Sequence, residues 1–230
     1  MTNPTTVHRA ALSGDLFETA FARLPLMAIL RGLDRERTVE VSRRAWQAGI
    51  RLVEVPVQSE AAVEALAAAV EAGAERGEVV GAGTVTTVER VERAAAAGAR
   101  FTVAPGFCRE VAEASLAAGL PHLPGVATAS EIQRAQALGL TWLKAFPAAE
   151  LGASWIRAMH GPFPEARFVA TGGMSPGNAE EFLSAGAAAV ALGSALSDPG
   201  RFARLPALVG RLLDRPDGHV ARPGGPRDRD

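Results

Sequence analysis

Short apolar runs alternate with longer stretches of interleaved alanine, glutamate and arginine from Leu26 to Leu192. The apolar runs are Leu26–Leu30, Leu52–Val57, Val79–Ala82, Phe101–Ala104, His122–Pro124, Thr141–Phe146, Arg167–Ala170 and Ala188–Leu192. Nearly continuous hydrophobicity over so few residues predicts strands buried on both faces, as in a parallel sheet covered by helices. The stretches between them read as those helices. Their ends are marked by Ala48-Gly49-Ile50, Ala97-Gly98-Ala99, Ala118-Gly119-Leu120, Leu138-Gly139-Leu140 and Ala185-Gly186-Ala187. Glycine just past a helix takes the left-handed conformation without a steric penalty. Ser59, Thr86, Thr128 and Ser175 are of N-cap type. Thr86 with Glu89 and Thr128 with Glu131 have capping-box spacing, and Pro176 stands where a first helical residue would be.

Eight such units predict an α/β fold, a (β/α)8 TIM barrel, with a doubly wound open sheet as the alternative. Leu12–Leu24 reads as an extra N-terminal helix. Residues 1–11 are then an N-terminal flank and 12–213 a single barrel domain. Residues 214–230, rich in Pro, Gly, Arg and Asp, have the composition of a disordered tail.

Composition narrows the function. The chain has 230 residues and a net charge of −1, so no basic excess exists for nucleic acid. Aromatics are 5% with no tyrosine, which leaves few platforms for base stacking. A single cysteine, Cys108, excludes an intrachain disulfide and a cysteine-based zinc site, and it reads as a packing residue beside a loop. No charge-free apolar run is long enough to span a membrane. The N-terminus lacks the basic-then-apolar order of a signal peptide. The expectation is a soluble protein of the reduced cytoplasm. His8, His122, His160 and His219 show no metal-ligand spacing, so all four read as structural or solvated and no metal is expected.

Of the 24 basic residues only one, Lys144, is a lysine; the rest are arginines. It lies in the mostly apolar run Thr141-Trp-Leu-Lys-Ala-Phe-Pro147. Arginine stays protonated and cannot act as an amine nucleophile, whereas lysine can. Chance survival of one lysine, or a lysine snorkelling from a strand end, is the competing explanation. In a parallel barrel the active site sits at the C-terminal ends of the strands. Those ends carry Arg31-Gly32, Glu54, Gly83-Thr84, Pro105-Gly106, Gly125, Lys144, Thr171-Gly172-Gly173 and Gly193-Ser194. Glu54, inside an apolar strand, is either a proton-transfer group or the ion-pair partner of an internal arginine. Thr171-Gly172-Gly173 and Gly193-Ser194 fall on the last two loops, where such barrels often bind phosphate. Arg31 can clamp a carboxylate or phosphate, or form an ordinary salt bridge. Gly81-Ala82-Gly83 lacks the third glycine of a dinucleotide fingerprint, but its small residues would let a ligand approach the backbone.

At these positions the sequence resembles the class I 2-keto-3-deoxy-6-phosphogluconate (KDPG) aldolase family, which includes 4-hydroxy-2-oxoglutarate (KHG) and 2-dehydro-3-deoxy-6-phosphogalactonate aldolases. The resemblance rests on Ala28-Ile-Leu-Arg-Gly32, Val53-Glu-Val-Pro56, Val80-Gly-Ala-Gly-Thr-Val85, Ala104-Pro-Gly106, Leu123-Pro-Gly-Val126, Leu143-Lys-Ala-Phe-Pro147, Gly161-Pro-Phe-Pro164, Thr171-Gly-Gly173 and Leu192-Gly-Ser194. These motifs follow the family order from residue 25 to about residue 200. The resemblance implies a metal-free, cofactor-free lyase, usually a homotrimer, acting on a phosphorylated 2-keto-3-deoxy sugar acid and yielding pyruvate. It implies that Lys144 forms the Schiff base and Glu54 transfers protons. Thr84, Pro105 and Phe146 match pocket positions, and Gly172, Gly173, Gly193 and Ser194 match the phosphate end; Arg31 is expected to contact the substrate carboxylate, and Thr171 counts among the substrate-binding residues. Val57-Gln58-Ser59 stands where gluconate-type members often carry an arginine. That stretch is similar to galactonate-type members, while Thr171 before the two glycines is similar to gluconate-type ones.

The expected reaction is cleavage of KDPG to pyruvate and glyceraldehyde 3-phosphate. Galactonate-type or 4-hydroxy-2-oxoglutarate cleavage is the near alternative. A sugar-phosphate isomerase or epimerase, with Lys144 acting electrostatically, is a more distant one. A barrel that only binds ligand is the non-enzymatic reading, and pyruvate release would exclude it. Borohydride trapping of pyruvate separates imine chemistry from the isomerase, because only an imine is reduced to a stable adduct.

Overall fold

Every strand in the computed structural model runs parallel to its neighbours. The structure describes residues 14–214, so the expected flank over 1–11 and the expected tail beyond Asp214 lie outside the described residues, as do His8 and His219. A helix over residues 14–21 (α1) leads into β1 (Leu26–Ile29). There follow α2 (Arg35–Gln47), β2 (Leu52–Pro56), α3 (Glu60–Ala74), β3 (Val79–Gly83), α4 (Val88–Ala96), β4 (Thr102–Val103), α5 (Arg109–Ala117) and β5 (His122–Leu123). After Pro124 come β6 (Gly125–Val126), α6 (Ala129–Gln136), β7 (Trp142–Ala145), α7 (Ala148–Leu151), α8 (Ala153–Met159), β8 (Arg167–Thr171) and α9 (Ala179–Ser184). The chain ends its regular structure with β9 (Ala189–Leu192), α10 (Ser194–Ser197), α11 (Pro199–Phe202) and α12 (Leu205–Leu213).

The sheet order is β5-β4-β3-β2-β1-β9-β8-β7-β6. Its two ends, β5 and β6, are halves of one strand interrupted at Pro124, which has no N–H to give the ladder. β5 pairs with β4 and β6 pairs with β7, so this fifth strand closes the sheet on itself. The eight expected strands are therefore present as a closed barrel, and the open doubly wound sheet is excluded. What the sequence pattern did not show is the division of the fifth strand.

Alternation of side chains sorts the strands into two cores. Outward residues such as Val53, Val80, Leu143, Phe168 and Val190 pack beneath the helices. Inward residues Met27, Leu52, Phe101, Leu123, Trp142 and Val169 fill the barrel together with Phe17 and Phe21 of α1. Phe17 meets the Phe101 ring edge-on at 5.8 Å, and Phe21 lies 5.3 Å from Trp142. Both α1 rings are fully buried, so this extra helix stops the N-terminal end of the barrel and leaves the other end for a ligand. Gly81 makes room for the Phe101 ring, where an added Cβ would come within 2.5 Å of its carbons.

Two expected helix starts are displaced. Thr87, not Thr86, caps α4 and accepts from the N–H of Arg90. Thr86 instead accepts from the Arg90 guanidinium at 2.6 Å. Ser175 and Pro176 belong to a turn, and Asn178 occupies the N-cap position of α9. The Asn178 carboxamide oxygen accepts from the Ser175 N–H, which uses the cap-type side chain to brace the loop before the helix. Ser59 and the Thr128–Glu131 capping box are as expected. Among the described residues no helix is long and apolar enough to cross a membrane.

Candidate active site

Lys144 is the inward residue near the C-terminal end of β7, and Glu54 is its counterpart on β2. Only 3% of Lys144 and none of Glu54 is exposed. The Lys144 Nζ stands 3.9 Å from Glu54 Oε1 and 5.2 Å from the centre of the Phe146 ring. Neither Glu54 oxygen takes part in a hydrogen bond among the described residues. A buried carboxylate without hydrogen bonds is costly, and here its one close counter-charge is the lysine. Gly83, the register partner of Pro56 on β3, lies directly against the Glu54 carboxylate, in space a Cβ would take. The small residues of Gly81-Ala82-Gly83 thus admit Phe101 and Glu54, not a ligand against the backbone.

A cavity of about 360 Å³ opens above Lys144. Arg31, Thr171, Gly172, Gly173, Gly193 and Ser194, read from the strand ends, line it together with the lysine and with Phe146, which the family resemblance had pointed to. Glu54, Thr84 and Pro105 do not line it; each meets it through a neighbour. Glu54 reaches it through Lys144. Thr84 Oγ1 accepts a hydrogen bond from the Arg31 guanidinium at 3.3 Å. The Pro105 carbonyl closes over Gly125, the register partner of Lys144, so tightly that no Cβ would fit there. Thr84 has a φ of 57°, an unusual conformation for a β-branched residue, and such outliers concentrate at functional sites.

The Arg31 guanidinium donates to the Gln58 side chain as well as to Thr84, and it pairs with no carboxylate among the described residues. The salt-bridge explanation for Arg31 therefore fails, and its charge is available to an anionic ligand. Gln58 was not among the expected site residues. Its signal was the Val57-Gln58-Ser59 departure, in a position right after the Glu54 strand. Ile29, Met174, Ala191 and Ser197 also line the cavity without having been expected. Being apolar or lone residues, they carry no chemical signal in sequence.

At the other end of the cavity, Gly172 and Gly173 take φ values of 94° and 71°. A side chain at Gly172 would meet the Phe146 ring at 3.2 Å, and one at Gly173 would overlap Ala149. Asn178 Nδ2 donates to the Gly173 carbonyl at 3.1 Å and fixes the turn. Among the described residues no hydrogen bond uses the N–H of Gly173 or Gly193. Thr171 is spent locally, its hydroxyl donating to the Val169 carbonyl at 3.2 Å.

Away from the cavity, His122 is buried beneath α5. Its Nδ1 lies 2.8 Å from Thr102 Oγ1, which donates to Ser115 Oγ at 2.9 Å. Burial lowers its pKa from the ordinary 6.5 to about 3, so it is neutral in the fold. His160 Nε2 lies 2.9 Å from the Gly186 carbonyl. Cys108 is half-buried at the N-cap position of α5, with Sγ 3.0 Å from Glu110. Among the described residues no three His, Cys, Asp or Glu side chains converge as a metal site.

An enclosed primary amine beside a carboxylate, at the open end of a parallel barrel, is arranged for condensation with a ketone, a reaction closed to arginine. That arrangement is the one a class I, Schiff-base carbon–carbon lyase needs. The KDPG and KHG aldolase family model matches residues 17–204, and the chain belongs to that family. It is 38% identical over 170 residues to the 2-dehydro-3-deoxy-phosphogluconate aldolase of Treponema pallidum, covering 72% of this chain and 80% of that protein. It is 37% identical over 177 residues to a probable 2-dehydro-3-deoxy-6-phosphogalactonate aldolase of Rhizobium meliloti, covering 76% and 83%. Its fold matches that of the KDPG aldolase of Legionella pneumophila, solved with pyruvate captured at low pH as a covalent carbinolamine. That match has a TM-score of 0.70 at 31% identity, over 84% of this chain and 94% of the other.

Proposed function

We propose that this protein cleaves 2-keto-3-deoxy-6-phosphogluconate to pyruvate and glyceraldehyde 3-phosphate, with Lys144 as nucleophile and Glu54 as the proton-transfer group. The observation that carries the reading is the buried Lys144–Glu54 pair, 3.9 Å apart at the floor of the cavity. The neutral amine adds to the C2 ketone to give a carbinolamine. Loss of water leaves a protonated imine, which draws electrons from C3. Glu54, directly or through a water, takes the C4 hydroxyl proton. The C3–C4 bond then breaks, releasing the aldehyde and leaving an enamine on Lys144. Protonation at C3 and hydrolysis return pyruvate and the free amine. Arg31, braced by Gln58 and Thr84, holds the substrate carboxylate. The Gly172-Gly173 and Gly193-Ser194 backbones receive the phosphoryl group, so binding energy at the far end orients the reacting carbons.

Gln58 on Arg31 supports a second substrate in the same class, the galactonate epimer at C4, because the Val57-Gln58-Ser59 stretch is similar to galactonate-type members. The working assembly is a homotrimer in this reading, checked by light scattering. The deciding experiment is pyruvate release from each epimer together with borohydride trapping. No pyruvate from either substrate, or no adduct at Lys144, would refute the reading.

A further inference from the structure

A sugar phosphate brings about −1.5 to −2 charges to the glycine end of the cavity. The cations lining the cavity are Lys144, consumed by imine formation, and Arg31, held by Gln58 and Thr84. Neither belongs to the Gly172–Gly173 turn. That turn has a second side. A smaller cavity of about 260 Å³ is lined by Gly173, Ser175, Pro176, Gly177, Arg201 and Arg204. Gly173 lines both cavities, so the cavity of the two arginines adjoins the one proposed for the phosphoryl group.

The two arginines line the same cavity: Arg201 lies in α11, and Arg204 holds the N-cap position of α12, three residues on. Among the described residues neither guanidinium forms an ion pair or a side-chain hydrogen bond. The acidic groups at hand are occupied. The Asp198 carboxylate accepts from the backbone N–H of Arg201 at 2.8 Å, and Glu180 on α9 is held by Arg211 at 2.8 Å. Two arginines without an ion pair among the described residues thus stand beside a glycine turn whose own N–H group is unused.

We propose that Arg201 and Arg204 are specificity residues for the phosphoryl group. Their field, acting around the Gly173–Gly177 turn, draws the phosphorylated end of the substrate in and holds it there. The inference rests on the aldolase reading above and adds to it a preference for phosphorylated over unphosphorylated sugar acids. Both arginines are exposed, so the effect is electrostatic and salt-sensitive.

The test is the double variant Arg201→Gln with Arg204→Gln, compared with Arg201→Lys with Arg204→Lys. In the Gln variant kcat/KM on the phosphorylated substrate should fall about ten-fold or more, and its dependence on ionic strength should flatten. Cleavage of the same sugar acid without phosphate, and borohydride trapping of pyruvate, should be unchanged, which also shows that the barrel is folded. The Lys variant should keep most of the phosphate preference. Binding of inorganic phosphate, followed by 31P line broadening, should weaken in the Gln variant alone. Equal losses on both substrates, no loss on either, or equal phosphate binding in all three proteins would overturn the assignment. If the unaltered protein cleaves neither sugar phosphate, the aldolase reading fails, and the phosphate titration alone still decides whether the arginines form an anion site.

Discussion

The Nζ of Lys144 and Oε1 of Glu54 stand 3.9 Å apart although their strands, β7 and β2, lie on opposite sides of the barrel. In a flat sheet of this order four strand spacings of about 4.8 Å would separate them by roughly 19 Å. Closure at Pro124 is what turns two distant inward side chains into a pair. The pair is a poor source of stability. Burying two ionisable groups is costly, a 3.9 Å contact without hydrogen bonds returns little, and hydrophobic replacements of such pairs are often neutral or stabilising. The position of Lys144 at the floor of a cavity that Arg31 and the glycine turn also line gives the pair a chemical use instead.

If the amine is the nucleophile, Lys144→Arg keeps the positive charge beside Glu54 and removes the chemistry. Aldol cleavage should fall by at least about three powers of ten. Because the chain has no other lysine, borohydride reduction with pyruvate should label Lys144 and, at most, the N-terminal amine. Mass spectrometry that finds the label at the N-terminus alone would remove Lys144 from the mechanism.

Glu54 can be disturbed in two independent ways. Glu54→Gln removes its basicity and should slow turnover by roughly two to four powers of ten. Gly83→Ala leaves the carboxylate in place chemically but puts a methyl group where that carboxylate now sits. It should slow turnover in the same direction and slow imine trapping as well, since carbinolamine formation also moves protons. Near-normal turnover in a folded Gln variant would reduce Glu54 to a structural partner of the lysine.

Much of this was legible in the chain. Eight apolar runs and glycine-terminated helices specify a barrel because both periodicities are local. Lys144, Arg31 and the two glycine loops follow from where strands end. The division of the fifth strand was not legible, since Pro124 within an apolar run looks the same whether it ends a strand or bridges two. Nor were the indirect roles of Thr84 and Pro105, which depend on contacts with Arg31 and Gly125 far away in sequence. The caps at Thr87 and Asn178 were missed because Thr86 and Ser175 have side chains of the same capping type one to three residues earlier, and tertiary geometry chose between them.

His122 gives the fold a defined response to acid. Its pKa is about 3 in the folded protein, against 6.5 ordinarily. Above pH 6.5 neither state carries the proton, and His122 adds no pH dependence. Between about 6.5 and 3 the unfolded chain takes up a proton that the folded one refuses, so stability falls as pH falls through this window. His122→Gln should flatten the dependence of the urea midpoint there, by the equivalent of one proton. Identical slopes in the two proteins would mean that His122 titrates normally.

Metal removal separates this site from a metal-assisted lyase. The described His, Cys, Asp and Glu residues offer no converging ligand set. Aldol cleavage should therefore survive prolonged dialysis against EDTA. A substantial loss that a divalent ion restores would contradict the Schiff-base assignment.

The two ends of the cavity should be separable by one substitution. Gly173 has a φ of 71°, which side chains rarely adopt, and a Cβ there would overlap the Ala149 methyl group. Gly173→Val therefore shifts the turn that presents the unused Gly173 N–H, while Lys144 and Glu54 sit on strands β7 and β2, away from that turn. Cleavage of the phosphorylated substrate should weaken by about ten-fold or more, because the phosphoryl group no longer anchors the reacting carbons. Pyruvate carries no phosphate, so borohydride trapping at Lys144 should change much less. Measuring both in the same preparation uses trapping as the control for folding. If both fall together in a protein with an unchanged circular dichroism spectrum, the amine and the glycine turn are coupled, and the division of the cavity into two ends is wrong. If neither falls, the phosphoryl group is held elsewhere, and Arg31, with its guanidinium free of any described carboxylate, becomes the first residue to test.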